Sequence, residues 1–578
     1  MQYYIILIYF SCVPGLVFMC FVLTCMAAAL TELKDFLEVP PLQAAGSAAL
    51  LGIVLHWSIF RNIEVETYLY EFLALYLAAV LGLGYSYASW TDFSIIQSAT
   101  RVLLLASSFN AGLVLSIGVY RLFFHRLRRF PGPFAAKLSR FYAMAKAAEK
   151  VQYHVEVAKM HDNLRELCIV RKSAVPLIHG PQSQCLKSTW YGQVSTDHTK
   201  CSIHMTRDFD THRKRRKAWD RALSIKAIAQ YRPRIKAKAD LLIAQINANL
   251  GKPLDVTAWS MFLSFDIMDE IGFGKDFNNL RTGIEHTAIQ GIHKHMTSLE
   301  IMSMVPWLLN LISRIPGAAS GYSSFFKWCA DELRSKRQTW DPQQEPQDIM
   351  SWLLKAFVEK DVSASPSETA LEEDSRVVIV AGSDTTGSTL ATILFYLAKY
   401  PATMKKLLRL LDEAMPGGAQ DWSYEKVTSV TFIDDIINET LRLRPALLTG
   451  GYRVTPPGGI QVDEVYVPGD VNVFVLIQLI QTDERYYRDA QDFVPERWGE
   501  RREEMGTDSA PFLPFSLGPY SCPGKNLAMM SLRIAISCIA QQFDISFAPG
   551  ESGEGFDKGA LDAFTTTLPP LFVQFSRR

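Results

Sequence analysis

Cys522 stands in PFSLGPYSCPGKNLAMMSLR, residues 514–533, between Gly518 and a Pro523–Gly524 turn, ahead of an apolar spacing at Leu527, Met530, Ile534 and Ile536. That spacing predicts a helix starting just after the cysteine. At a helix N-terminus the macrodipole and free backbone N–H groups favour thiolate over thiol. Gly518 and Gly524 let the loop fold closely around the sulfur. The loop alone leaves three readings open: an inert core thiol, a nucleophile or a metal ligand. A nucleophile would want a histidine partner, and none of the eleven histidines lies beyond His295. A phosphate-binding loop is excluded, because five residues rather than four separate Gly518 from Gly524 and Asn526 replaces the Ser or Thr.

VVIVAGSDTTGSTLATILFYLAKYP, residues 377–401, reads as an apolar helix with a capping box at Ser365 and Glu368 and a stop at Pro401. Gly382 to Gly387, in its middle, have poor helix propensity. Asp384, set among hydroxyls in an apolar helix, costs desolvation energy unless it is used or hydrated. The hydroxyls could equally bond their own helix carbonyls. Glu439 and Arg442 share one helix face at i and i+3. On a surface such a pair is weak; Arg497, in FVPERW at 493–498, would turn it into a buried network.

The elements that must position these residues belong to a chain of 578 residues with 59 basic and 59 acidic side chains. With net charge +0, no overall field recruits nucleic acid. None of the nine cysteines shows a C-x-x-C spacing, which argues against a disulfide scaffold or a zinc site. Apolar runs concentrate in the first 130 residues. Residues 3–30 carry no charge and are long enough to span a bilayer. Three weaker candidates follow at 43–60, 67–87 and 95–120, with buried core helices as their rival reading. Arg121, Arg126, Arg128 and Arg129 mark the cytosolic end of the last one. The expected organisation is a membrane region over 1–129, a Pro-rich hinge over 130–134 and a catalytic domain over 135–578. The basic run THRKRRKAWDRALS, 211–224, has a rival reading as a nucleic-acid patch, which a membrane-anchored chain disfavours. His293 and His295, at i and i+2, do not share a helix face and read as solvent-facing.

In this order, the motifs resemble those of the cytochrome P450 (heme-thiolate monooxygenase) family over roughly 130–578. Phe515, Gly518, Cys522 and Gly524 match its heme loop, and Ala381 to Thr386 match its oxygen-activation motif. Glu439 with Arg442 match its E-x-x-R, and Pro495 to Trp498 its P-E-R-[FW]. The surrounding wording is similar to fungal secondary-metabolite members of the tryprostatin B 6-hydroxylase-like type. The resemblance implies a mainly α fold with small β-sheets, preceded by transmembrane helices. It further implies heme b with Cys522 as the axial ligand of its iron, and proton delivery by Asp384 and Thr385. Gly382 would leave room for dioxygen, and Glu439, Arg442 and Arg497 would form a structural network. Arg453 is the expected propionate partner, joined by Trp219 with Arg216 or Arg221. Tyr520 replaces the family's Arg or His, so a phenol hydrogen bond would replace an ion pair. Implied partners are NADPH-cytochrome P450 reductase, with cytochrome b5 as a further one, and a lipophilic small molecule. No nucleic acid is implied. The implied location is the endoplasmic reticulum membrane, with the catalytic domain in the cytosol.

Substrate contacts are expected after residue 185, within 275–320, at Leu447 to Gly451 and at Phe564 to Thr566. About ten residues of the family pattern are missing near 162–166, through a deletion or a gene-model gap, enough to remove one strand. The leading reading is a monooxygenase acting on a lipophilic secondary metabolite. A rearrangement enzyme on the same fold and a non-catalytic membrane-bound heme or ligand-binding protein are the alternatives. The intact Asp384–Thr385 pair argues against the rearrangement.

Overall fold

Helix-forming apolar stretches interrupted by Pro, Gly and Ser caps divide this chain into two units, which meet in sequence at Arg128 and Arg129. The structure, a computed structural model, describes residues 37–164, 171–192, 197–313, 315 and 320–578. The first apolar run, 3–30, lies outside the described residues.

Within the first unit, α1 (Pro41–Leu55) opens on a proline, α2 spans Leu69–Trp90, and α3 (Ile95–Val119) opens on a capping box formed by Ser94 and Gln97. Each extends a little further: the helical segments Pro41–Phe60, Val65–Trp90 and Ile95–Phe124 are long and apolar enough to cross a membrane. Leu42, Leu81 and Ile95 face outward, as lipid-facing side chains would. Glycines let α1 and α3 approach closely: a Cβ on Gly52 would strike the Phe109 carbonyl, and one on Gly112 the Ala49 carbonyl.

The second unit is mainly helical. Its basic run forms α4 (Phe209–Ala222), capped by Asp208. There follow α5 (Ile225–Ala248), α6 (Val256–Phe273), α7 (Thr287–Ser303), α8 (Glu368–Lys399), α9 (Phe432–Leu443) and α10 (Lys525–Ala540). α8 is the central helix, packing on α6, α9 and α10. Its cap is Ser367, which accepts from the Ala370 N–H; Ser365, the expected cap, instead donates to Asp374 at 2.6 Å. Pro401 starts the next helix, as its fixed φ and missing N–H allow.

Among the described residues, four small antiparallel sheets complete the unit. β1 (Leu186–Lys187), β3 (Arg453–Val454) and β6 (Asn472–Val473) form one sheet; β2 (Pro253–Asp255), β10 (Phe572–Arg577) and β7 (Phe543–Phe547) form another. Two hairpins, β4 (Ile460–Val462) with β5 (Val465–Val467) and β8 (Leu561–Ala563) with β9 (Thr565–Thr567), are the others. The register Lys187 opposite Arg453 sets two cationic side chains side by side. Residues 165–170, where the family pattern runs short, lie outside the described residues. Between Leu164 and Leu186 the described residues hold one short helix, Ala174–His179, and no strand.

Candidate active site

A cavity of about 410 Å3 lies between α8, α7, the start of α10 and the loops around β1, β3 and β8. Cys522 and Thr385 both line it, as do Leu447, Gly451 and Phe564. Phe515 accepts the Cys522 N–H at 2.8 Å through its carbonyl, closing the loop. Gly518 sits at φ +64°, and a Cβ there would come 2.5 Å from the Gly180 carbonyl, so only glycine fits. Gly524 is different: its added Cβ would lie 3.8 Å from the Cys522 sulfur, an ordinary contact. The Cys522 sulfur lies at the N-terminus of α10, as the spacing predicts. Although Cys522 is exposed to the cavity, desolvation around the sulfur pushes its thiol up and outweighs the pull of the Gly524 N–H, Arg216 and the Lys525 N–H. The helix end alone therefore does not make it a thiolate; a metal cation beside the sulfur would.

Cationic groups gather near this loop. Lys187, Arg216 and Arg453 line the cavity, and the Tyr520 ring lies 5.2 Å from Lys187 Nζ and 4.8 Å from the Arg453 guanidinium carbon. Lys187 donates to the carbonyls of Ile203 and His204, and burial, followed by the Arg453 charge, pushes its amine well below the usual range. His204 is depressed to about 3 and His212 to about 2, by burial first and by neighbouring cations next. Arg453 Nε and the Tyr520 hydroxyl are buried without a hydrogen-bond partner among the described residues.

α4 supplies Trp219, which lines the cavity, and Arg216, which donates to the Ser521 carbonyl at 2.7 Å beside Cys522. Arg221 does not join them. It points to Ser363 at 2.7 Å and Asp361 at 3.5 Å, because five positions after Arg216 the helix has turned its face. Arg215, in the same run, is buried against Asp374 at 2.7 Å, whereas Arg213, Lys214, Lys217 and Arg221 are exposed.

α8 runs unbroken through its Gly–Ser–Asp–Thr–Thr–Gly segment. Thr385 Oγ1 donates to the Ala381 carbonyl at 2.9 Å, and Thr389 Oγ1 to the Thr385 carbonyl at 2.6 Å. Gly382 has a packing reason: a Cβ there would meet the Met268 sulfur of α6 at 2.5 Å. Asp384, buried, turns from the cavity toward α7, where His293 Nε2 is 3.3 Å from its carboxylate. Glu285 holds the other ring nitrogen at 2.7 Å. His293 is thus not solvent-facing as its spacing suggested. Burial opposes its charge, but the hydrogen bonds to Asp384 and Glu285 outweigh it and raise the imidazole to about 10. His295 lies apart and contacts the Gly291 carbonyl.

Glu439, Arg442 and Arg497 are fully buried together. Arg442 reaches both Glu439 oxygens at 2.8 and 2.9 Å, and Arg497 Nε reaches one at 2.9 Å. Trp498 Nε1 and the Val494 N–H also donate to Glu439, at 3.0 and 2.9 Å. The remaining guanidinium donors go to the carbonyls of Gln481, Ala490, Asp492, Arg488 and Asp489.

The family profile described as Cytochrome P450 matches residues 177–575. Cytochrome P450 monooxygenase FCK2 of Fusarium pseudograminearum is 33% identical, over 92% of this chain and 97% of its own length. Cytochrome P450 monooxygenase orf5 of Eupenicillium brefeldianum is 37% identical, over 81% and 94%. Tryprostatin B 6-hydroxylase of Aspergillus fumigatus is 28% identical, over 92% and 96%. A cytochrome P450 crystal structure superposes with a TM-score of 0.59 at 21% identity, covering 69% of this chain and 90% of its own, which shows the shared fold. A cavity walled by a loop cysteine and a Thr-bearing central helix, in a chain matched along most of its length, has one consistent assignment: this chain belongs to the cytochrome P450 family and is a cytochrome P450 monooxygenase, with the heme-thiolate cofactor that family membership implies.

Proposed function

We propose that Cys522 is the axial thiolate ligand of heme b, and that the enzyme inserts one oxygen atom into a lipophilic fungal secondary metabolite. Electrons would come from NADPH through a cytochrome P450 reductase, with cytochrome b5 as an auxiliary donor. The chain would work at the endoplasmic reticulum membrane, held there by its apolar N-terminal helices, with the catalytic unit in the cytosol. One observation carries this reading: Cys522 and Thr385 share an apolar cavity whose cationic side holds two orphaned buried donors, Arg453 Nε and the Tyr520 hydroxyl. Those donors fit a cofactor bearing two carboxylates.

When bound, the heme supplies the oxygen-activating chemistry, which a cysteine thiolate favours. Arg453 and Arg216 would neutralise its carboxylates, and Lys187 and Tyr520 would add hydrogen-bond donors beside them. Trp219 gives an apolar edge beside them. Thr385 keeps a hydroxyl proton at the cavity wall, on the Ala381 carbonyl. Behind it the His293 imidazolium holds a further proton, donated toward Asp384, and Glu285 fixes the imidazole from its far side. Met268, Leu299 and Phe564 keep the interior dry. The relatives' secondary-metabolite character supports the substrate class.

The test is the carbon monoxide difference spectrum of the reduced, full-length protein in detergent. The red-shifted thiolate Soret band is expected in the wild type and absent in Cys522→Ala. A wild type that binds heme without that band would overturn the assignment.

A further inference from the structure

The cavity's charge is unevenly placed. Lys187, Arg216 and Arg453 cluster at the Cys522 loop, whereas Glu300, on α7, is the single acid among the described lining residues. Glu300 is 6% exposed, and among the described residues no Lys, Arg or His pairs with it. Beside it is Ser303, a turn along the same helix, whose hydroxyl donates to the Glu300 backbone carbonyl at 2.8 Å and lies 3.4 Å from Trp190 Nε1. Trp190 in turn stacks on Phe564, with ring centroids 4.9 Å apart and planes 18° off parallel, and both rings line the same cavity. The carboxyl therefore shares the cavity with an aromatic wall.

A second acid stands behind it. Asp562, on β8, is buried with neither carboxylate oxygen hydrogen-bonded, and its nearest basic group is His154 Nδ1 at 3.5 Å. Tyr452 is the other titratable neighbour, its phenol pushed well up by burial and then by Glu300 and Asp562. Burial, reinforced by Asp562, lifts the Glu300 carboxyl to about 8. A buried carboxyl that no cation answers, with a second acid close by, is costly. It is retained at least cost if something that enters the cavity neutralises it. An ammonium ion does so through a charge-assisted hydrogen bond, and adjacent aromatic faces attract the same cation.

We propose that Glu300 anchors a protonated amine, so that the lipophilic metabolite oxidised in this cavity carries a basic nitrogen, which pairs with the Glu300 carboxylate beside the Trp190–Phe564 stack. This rests on the reading of the cavity as the substrate site next to Cys522. Atoms and charge balance simply. A neutral amine takes the proton of the Glu300 carboxylic acid, or an ammonium ion binds while that proton leaves to solvent. No redox partner is involved.

The test compares two ligands of the same shape on the heme-loaded full chain: N,N-dimethyl-4-phenylbutylamine and its neutral hydrocarbon isostere, 5-methyl-1-phenylhexane. Affinities are read by calorimetry, after the thiolate Soret band has been recorded for each preparation. The wild type should bind the amine at least about tenfold more tightly than the hydrocarbon, the loss expected for one charge-assisted contact. Glu300→Gln should erase that preference with the hydrocarbon affinity and the Soret band unchanged, and Glu300→Asp should restore part of it. Equal affinities in a wild type that shows the band would overturn the inference and leave the monooxygenase reading standing. Preference surviving in Glu300→Gln would overturn it too. If Glu300→Gln fails to take up heme, the wild-type pair of affinities and the Glu300→Asp variant decide. A wild type without the band would remove the monooxygenase reading itself, and this inference with it.

Discussion

Two groups of buried charges lie in the catalytic unit, and they are built on opposite principles. Around Glu439 every charge is answered from within the chain: two guanidinium groups, one carboxylate, an indole N–H and five backbone carbonyls close on one another. Around Tyr520 the charges are left open. Among the described residues Lys187 and Arg453 face the cavity with no acid paired to them, Arg216 keeps Asp220 at 2.7 Å, and two donors have no partner. A closed network makes one conformation rigid and is expensive to break. An open one is tolerated only where a ligand completes it. On the proposed reading, the closed motif holds the fold and the open one would receive the cofactor's carboxylates, although in sequence both are short polar patterns among apolar residues.

The comparison breaks first at Arg442. Arg442→Ala would strand Glu439 with one cation and free three carbonyls, costing about 3–5 kcal/mol. We expect little folded protein and no heme uptake, as seen by thermal melting and absorbance; a melting temperature close to wild type would show that the network is not structural. Cys522→Ala should do the reverse, leaving the melting curve of the apoprotein nearly unmoved while the thiolate Soret band and product formation vanish.

Arg453→Ala touches the open group. Loss of one charged hydrogen bond, about 1.5–3 kcal/mol, should weaken heme retention by roughly tenfold to a hundredfold. Transfer of heme to an acceptor protein measures it, and an unchanged transfer rate would place the carboxylates elsewhere. Thr385→Ala should keep the band and lower product formed per NADPH consumed severalfold; full coupling in that variant would remove the hydroxyl from proton delivery.

The smallest effect concerns His293. Its folded-state pKa, raised to about 10 from 6.5, means that the contact's stabilisation is fully present below about pH 6.5 and is lost as pH rises through about 10. The melting-temperature gap between wild type and His293→Gln should therefore narrow between pH 7 and pH 10. A gap that stays constant across that range would show that the imidazolium does not hold Asp384.

Local motifs were legible wherever chemistry depends on neighbours along the chain. The cysteine at the start of α10, the hydroxyl-rich segment of α8 and the Glu439–Arg442 pair all lie within a few residues of their own context. What was misread depends on partners far away in sequence. His293 is 91 residues from Asp384, and its spacing relative to His295 says nothing about that contact. Lys187 joins Arg453 only through the β1–β3 register. Arg221 and Arg216 are equally plausible in a basic run until the rotation of α4 separates them. For Cys522 the helix end is a local feature, whereas the desolvation that pushes its thiol up depends on everything packed around the sulfur.

By itself the sequence determined the family, the mainly helical fold with apolar leading helices, and the identity of the cysteine loop, since periodicity and short motifs are properties of consecutive residues. Only the tertiary structure decided which charges are satisfied and which are left facing a cavity. It set Glu300 in the cavity wall with no Lys, Arg or His paired to it among the described residues, and His293 against Asp384. Burial and partnership arise when distant segments pack together, and no one segment carries that information.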